Sequence, residues 1–109
     1  MLQVAVLGSG RGSNFQAILS AIQRGDVSNV RVRVVISNNS NAGILEIALA
    51  NAIPAVHVSQ RMFPDEEVFV ETLLETFQQY DVNFIVLAGY MKQLHPRVID
   101  AYRDGIINI

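Results

Sequence analysis

At 109 residues, 50% of them hydrophobic and 17% charged, the chain has the size and balance of one globular domain, residues 1–109, and lies far from disorder. A net charge of −2, with acids and bases interspersed and no basic stripe, argues against a nucleic-acid partner. Cysteine is absent, which removes disulfides, thiolate metal sites and a cysteine nucleophile; no signal-like leader or membrane-length apolar run is visible, so the expected setting is the cytoplasm, away from membranes.

Strand and helix signals alternate along the chain, with no internal repeat, low-complexity tract or linker. Gln3–Leu7 is a short apolar run and reads as a buried strand. It breaks into Gly8-Ser9-Gly10-Arg11-Gly12, after which Asn14–Gln23 has helical periodicity and Gly25 closes the helix. Valine-rich Val30–Ser37 is the second strand and Ala42–Ala52 the second helix, with Ile44, Leu45, Ala48 and Leu49 on one face. Ala55–Val58 follows Pro54 as a short third strand, and Asp65–Gln79 carries Val68, Phe69, Thr72, Leu73, Thr76 and Phe77 at helical spacing. Asn83–Ala88 is the fourth strand, Pro96–Tyr102 a short helix, and Gly105–Ile109 the start of a fifth strand.

This alternation predicts an α/β fold, a doubly wound, mostly parallel sheet with helices on both faces. In such sheets ligands gather beyond the carboxyl ends of the strands, where the strand order reverses. Gly8–Asn14, Gly89–His95 and Asn108 should therefore meet at one edge. The chain stops at Ile109 inside an apolar run, which suggests a domain truncated within its fifth strand.

The glycine-rich turn is the leading candidate site. A strand that opens directly into a helix N-terminus offers unpaired N–H groups and the positive end of a dipole to an anion, most often a phosphate. The dinucleotide pattern is incomplete, because the second strand ends in Ile36-Ser37-Asn38-Asn39 without the ribose-binding acid, and no Gly-Lys-Ser/Thr follows the turn. Gly12, Ser13 and Asn14 thus point to a mononucleotide-sized ligand, although Ser13 has a competing use as the helix N-cap. In Gly89-Tyr90-Met91-Lys92-Gln93-Leu94-His95, the residues Tyr90, Met91 and Leu94 form an apolar wall for a heterocycle, or else Met91 and Leu94 cap the core. Asn108 either bonds neighbouring backbone or donates to a developing oxyanion. His57 reads as structural or exposed, and nothing in the sequence pairs His95 with an acid. Asp65, Glu66, Glu67, Glu71 and Glu75 read as a helix's first turn and solvated face. No cluster has metal-ligand spacing, so no metal is expected.

Val6-Leu7-Gly8-Ser9-Gly10-Arg11-Gly12-Ser13-Asn14-Phe15-Gln16-Ala17-Ile18, then Ile36-Ser37-Asn38, Val86–Lys92 and Ile107-Asn108-Ile109, taken in order, resemble the glycinamide ribonucleotide formyltransferases of purine biosynthesis. That resemblance spans essentially the whole chain and implies a Rossmann-like formyltransferase fold. It implies that Gly12, Ser13 and Asn14 bind 5-phosphoribosyl glycinamide, chiefly at its phosphate. Met91, Lys92, Gln93 and Leu94 would line the site of the formyl donor, 10-formyltetrahydrofolate, and Asn108 would hold the formyl oxygen. In the family a His-Pro-Ser motif follows that asparagine after one residue and supplies the general acid. Those residues would lie in a C-terminal segment beyond Ile109, so the 109 residues alone are expected to be inactive. Glu66 stands where family members often carry a folate-contacting arginine, with Arg61 as the possible substitute. The competing expectations are a relative that deformylates the folate or formylates another amine, or a phosphate- or nucleotide-binding module without formyl transfer.

Overall fold

A computed structural model describes all 109 residues. Five strands form one sheet in the order β3-β2-β1-β4-β5, with every neighbouring pair parallel. They are β1 Leu2–Leu7, β2 Val30–Ser37, β3 Ala55–His57, β4 Phe84–Leu87 and β5 Ile106–Asn108. The helices are α1 Ser13–Gln23, α2 Gly43–Ala50, α3 Glu66–Gln79 and α4 Pro96–Ala101, with a 3₁₀ turn at Gln60–Met62. No helix is long and apolar enough to cross a membrane.

The period-two alternation of a strand buried on both faces builds two cores. Val4 and Val6 of β1 face one side, against Phe15 and Leu19 of α1 and Ile44, Leu45 and Ala48 of α2. Ala5 and Leu7 face the other, against Val70, Leu73 and Phe77 of α3 and Val98 of α4. Phe77 also meets Tyr102 edge-on, with ring centroids 5.3 Å apart. Thr76 is buried among these residues without an orphaned hydroxyl, because its Oγ1 donates to Thr72 O at 2.7 Å.

Every expected element is present, and the differences lie at the ends. β4 starts at Phe84 because Asn83 is occupied otherwise: its N–H donates to Gln3 O, and its Oδ1 accepts from the Gln3 N–H. α2 stops at Ala50 because Ala52 turns to φ 57°, where a helix cannot continue. α1 begins one residue earlier than expected, at Ser13, and its end folds back at Gly25, whose N–H donates to Ile22 O.

β1 lies at the switch point: the chain crosses from it to β2 on one side, and β4 lies on the other. The segments leaving β1, β2 and β4 therefore emerge side by side at the carboxyl edge, where such sheets take their ligands.

Candidate functional site

Steric fit makes the first loop what it is. A Cβ on Gly8 would sit 2.6 Å from Ile44 Cδ1 and 2.8 Å from Ala88 O. Gly12 has φ 85°, and its Cβ would come within 2.9 Å of Ile44 Cα. The first turn of α2 presses on this loop and bonds to it, the Ile44 N–H donating to Gly10 O at 3.1 Å. The loop is thus held from behind by backbone and by Ile44.

Its front is a row of free donors. None of the N–H groups from Gly10 to Phe15 makes a hydrogen bond within the chain. The first turn of α1 carries no acid that would compete for them. Consecutive free amides at a helix start are groups that anions bind. Ser13 and Asn14 are exposed. The expected capping role of Ser13 is corrected here: Gly12 occupies the N-cap, the ladder starts with Gln16 N–H donating to Gly12 O at 2.8 Å, and no side chain caps the helix. The Ser13 hydroxyl therefore has no structural duty in the chain.

Beyond β4, the Ala88 N–H donates to Leu7 O at 2.8 Å and the chain then turns at Gly89 into the second loop. Of the two residues expected as core caps only Leu94 serves as one, and Tyr90, expected in the wall, also packs on the core. Met91 is 78% exposed, whereas Leu94 and Tyr90 pack onto the α3/α4 core. Burial raises the Tyr90 phenol above its ordinary pKa. The backbone N–H and C=O groups of Lys92, Gln93 and Leu94 have no partners in the chain.

Met91, Lys92 and Gln93 line an open cleft of about 990 Å³. Tyr90, Phe63 and Phe69 add aromatic surface to it, and Asn38, Arg61 and Glu66 add polar groups. Leu94 is not part of this lining. Arg61 and Glu66 thus share the cleft, so the position expected to lack a cation has one five residues away.

His95 departs from expectation. Its Nε2 lies 3.6 Å from Glu66 Oε1, so the histidine does face an acid, while its Nδ1 accepts the Arg97 N–H and caps α4. Glu71 likewise pairs with Arg97 and is not merely solvated. His57, on the edge strand, is half-buried with no partner at Nε2 and joins neither loop.

Asn108 pairs with Leu87 in the β4–β5 register, at the carboxyl end of β5. It is exposed, and its side chain bonds nothing in the chain, so local backbone does not claim its amide. The fold gathers Gly12–Asn14, Met91–Gln93 and Asn108 at one edge, without bringing Asn108 or Gly12–Asn14 into the cleft wall.

The sequence reading assigns Ser9 no role of its own, and the structure gives it three bonds. Its N–H donates to Gly89 O at 3.1 Å, its hydroxyl donates to Asn38 Oδ1 at 2.6 Å, and the hydroxyl oxygen accepts the Met91 N–H at 2.8 Å. A hydroxyl directly beyond a central parallel strand was the available signal.

Comparison with known proteins bears on this edge. The formyl transferase family profile matches residues 2–109. The phosphoribosylglycinamide formyltransferase of Haemophilus influenzae is 35% identical over 109 residues, covering 100% of this chain and 51% of that protein. The trifunctional purine biosynthetic protein adenosine-3 of Drosophila pseudoobscura pseudoobscura is 38% identical over 109 residues, 98% of this chain and 8% of its own length. The crystal structure of glycinamide ribonucleotide transformylase 1 from Geobacillus kaustophilus superposes with a TM-score of 0.93 at 34% identity, over 99% of this chain and 57% of that one. The chain thus spans about half the length of the bacterial phosphoribosylglycinamide formyltransferases it matches.

Proposed function

The chain belongs to the formyl transferase family, and from that premise we propose that residues 1–109 are the phosphate-binding, donor-facing half of an enzyme of purine biosynthesis. It would transfer a formyl group from 10-formyltetrahydrofolate to the amine of 5-phosphoribosyl glycinamide. The observation that carries this reading is the row of unpartnered amides from Gly10 to Phe15 beside a cleft with aromatic walls. A C-terminal segment like that of the longer relatives would complete the site.

Gly12, Ser13 and Asn14 hold the phosphate. Their donors are neutral, so the anion is bound by converging N–H dipoles and the start of α1, with hydroxyl and amide groups at the rim. This fixes one end of the substrate and directs its amine along the sheet edge toward the second loop.

The cleft suits the formyl donor. Its volume is that of a small-molecule site, and it combines the two features a fused polar heterocycle requires. Phe63, Phe69, Tyr90 and Met91 offer apolar surface, while the free backbone groups of Lys92 and Gln93 can read a hydrogen-bonding edge. Arg61 and Lys92 supply positive charge for an acidic tail. When bound, the donor provides an electrophilic formyl carbon. Asn108, with its amide uncommitted, donates to the formyl oxygen as charge grows there, a contribution of about 3–4 kcal/mol in comparable sites. The general acid implied by the resemblance is not among these residues.

Calorimetric titration of the chain with 5-phosphoribosyl glycinamide tests this reading. One-to-one binding is expected, in competition with inorganic phosphate and weakened at least tenfold by Asn14→Asp, which sets a carboxylate beside the phosphate. Binding of NAD or ATP in its place, or indifference to that substitution, would overturn it.

A further inference from the structure

The geometry points to Ser9 as a positioning residue that sets the formyl-donor cleft without contacting either ligand; this rests on the function proposed above. Ser9 sits at the switch point, immediately beyond Gly8 and β1. Through one hydroxyl it engages the segments that leave β2 and β4 on either side: Asn38 Oδ1 at 2.6 Å and the Met91 N–H at 2.8 Å. Its own N–H, bound to Gly89 O at 3.1 Å, holds the base of the same loop.

Two consequences follow for the cleft, which both Asn38 and Met91 line. Because Met91 gives its N–H to Ser9, that group is not offered to a ligand. The loop is pinned at that point, so the next free backbone groups, those of Lys92 and Gln93, are presented from a fixed origin. Asn38 is fixed in orientation as well. With its Oδ1 held by the hydroxyl, its Nδ2 has no partner in the chain and remains a free donor in the cleft wall. A single hydroxyl therefore decides both which backbone groups meet the donor's polar edge and which end of the Asn38 amide does so. The row of amides at Gly10–Phe15 depends on Gly12 and Ile44 instead, and needs no part of this link.

Ser9→Ala removes both bonds, Asn38→Ala only one, and Ser9→Thr keeps the hydroxyl. In each purified chain the dissociation constants for folic acid and for 5-phosphoribosyl glycinamide, the thermal midpoint and the Met91 amide exchange rate are measured. In the wild type the Met91 amide should be protected from exchange. Ser9→Ala should remove that protection and weaken folic acid binding about tenfold. Its affinity for the phosphate ligand should stay within about threefold of wild type, and Ser9→Thr should restore the folic acid affinity. Asn38→Ala should weaken folic acid binding while leaving Met91 protected. An unprotected Met91 amide in the wild type would overturn the assignment, and this readout holds even if Ser9→Ala fails to fold. So would unchanged folic acid affinity in a folded Ser9→Ala, or equal loss of both ligands together with the thermal midpoint. A wild-type chain that binds neither ligand would instead reject the function beneath it.

Discussion

Gly12 and Ser13 are neighbours with opposite duties. Gly12 occupies a left-handed conformation with Ile44 backbone where a Cβ would go, so any side chain is excluded twice over. Gly12→Ala should cost at least about 2 kcal/mol in urea denaturation, from conformational strain plus displacement of α2. Ser13 caps nothing, so Ser13→Ala should change stability by less than about 0.5 kcal/mol while still weakening phosphate binding. A loss near 1 kcal/mol, the usual cost of a lost cap, would return Ser13 to the N-cap. The glycine turn was legible because clustered glycines between an apolar strand and a helical pattern mark a backbone that must bend tightly and approach a neighbour closely. Ser9 was not, because its partners are 29 and 82 residues away and only the sheet order makes them neighbours. The His95–Glu66 contact was hidden for the same reason, since it depends on how α3 lies against α4.

The helices differ in how their ends are finished. α3 begins at Asp65, whose Oδ1 accepts the Val68 N–H at 2.9 Å, with Glu66 and Glu67 in the first turn. Asp65→Ala should lower stability by about 1 kcal/mol, measured by urea unfolding, and Asp65→Asn by a few tenths. No change would mean that solvent serves the Val68 N–H equally well. α1, in contrast, leaves its first donors open to solvent or to a ligand. The order of strands and helices was readable from periodicity because β1 and β2 are buried on both faces and the helices are amphipathic. Boundaries were less so: Asn83 and Ala52 end elements through a side-chain bond and a backbone angle that no periodicity encodes.

At the scale of the whole molecule, the two faces of the sheet divide labour. The α1/α2 side secures the glycine-rich first loop, and the α3/α4 side backs the cleft through Tyr90 and Leu94. Burial raises the phenols of Tyr90 and Tyr102, both packed on the second side. The sign is fixed by linkage. The unfolded chain loses these protons near pH 10 while the folded chain keeps them, so stability is intact below about pH 10 and falls as pH rises through the raised values. Urea denaturation at pH 8 and pH 10.5 should show that loss, and Tyr90→Phe should reduce it. An equally steep loss in a variant lacking both phenols would place the alkaline sensitivity elsewhere.

The most direct measurement is a residue-by-residue map of backbone amide shifts as 5-phosphoribosyl glycinamide and then folic acid are added. The first ligand should move the amides from Gly10 to Phe15 together, and the second should move Lys92 and Gln93. Shifts clustered instead at the opposite edge of the sheet, around Gln78, Arg103 and Gly105, would contradict the account.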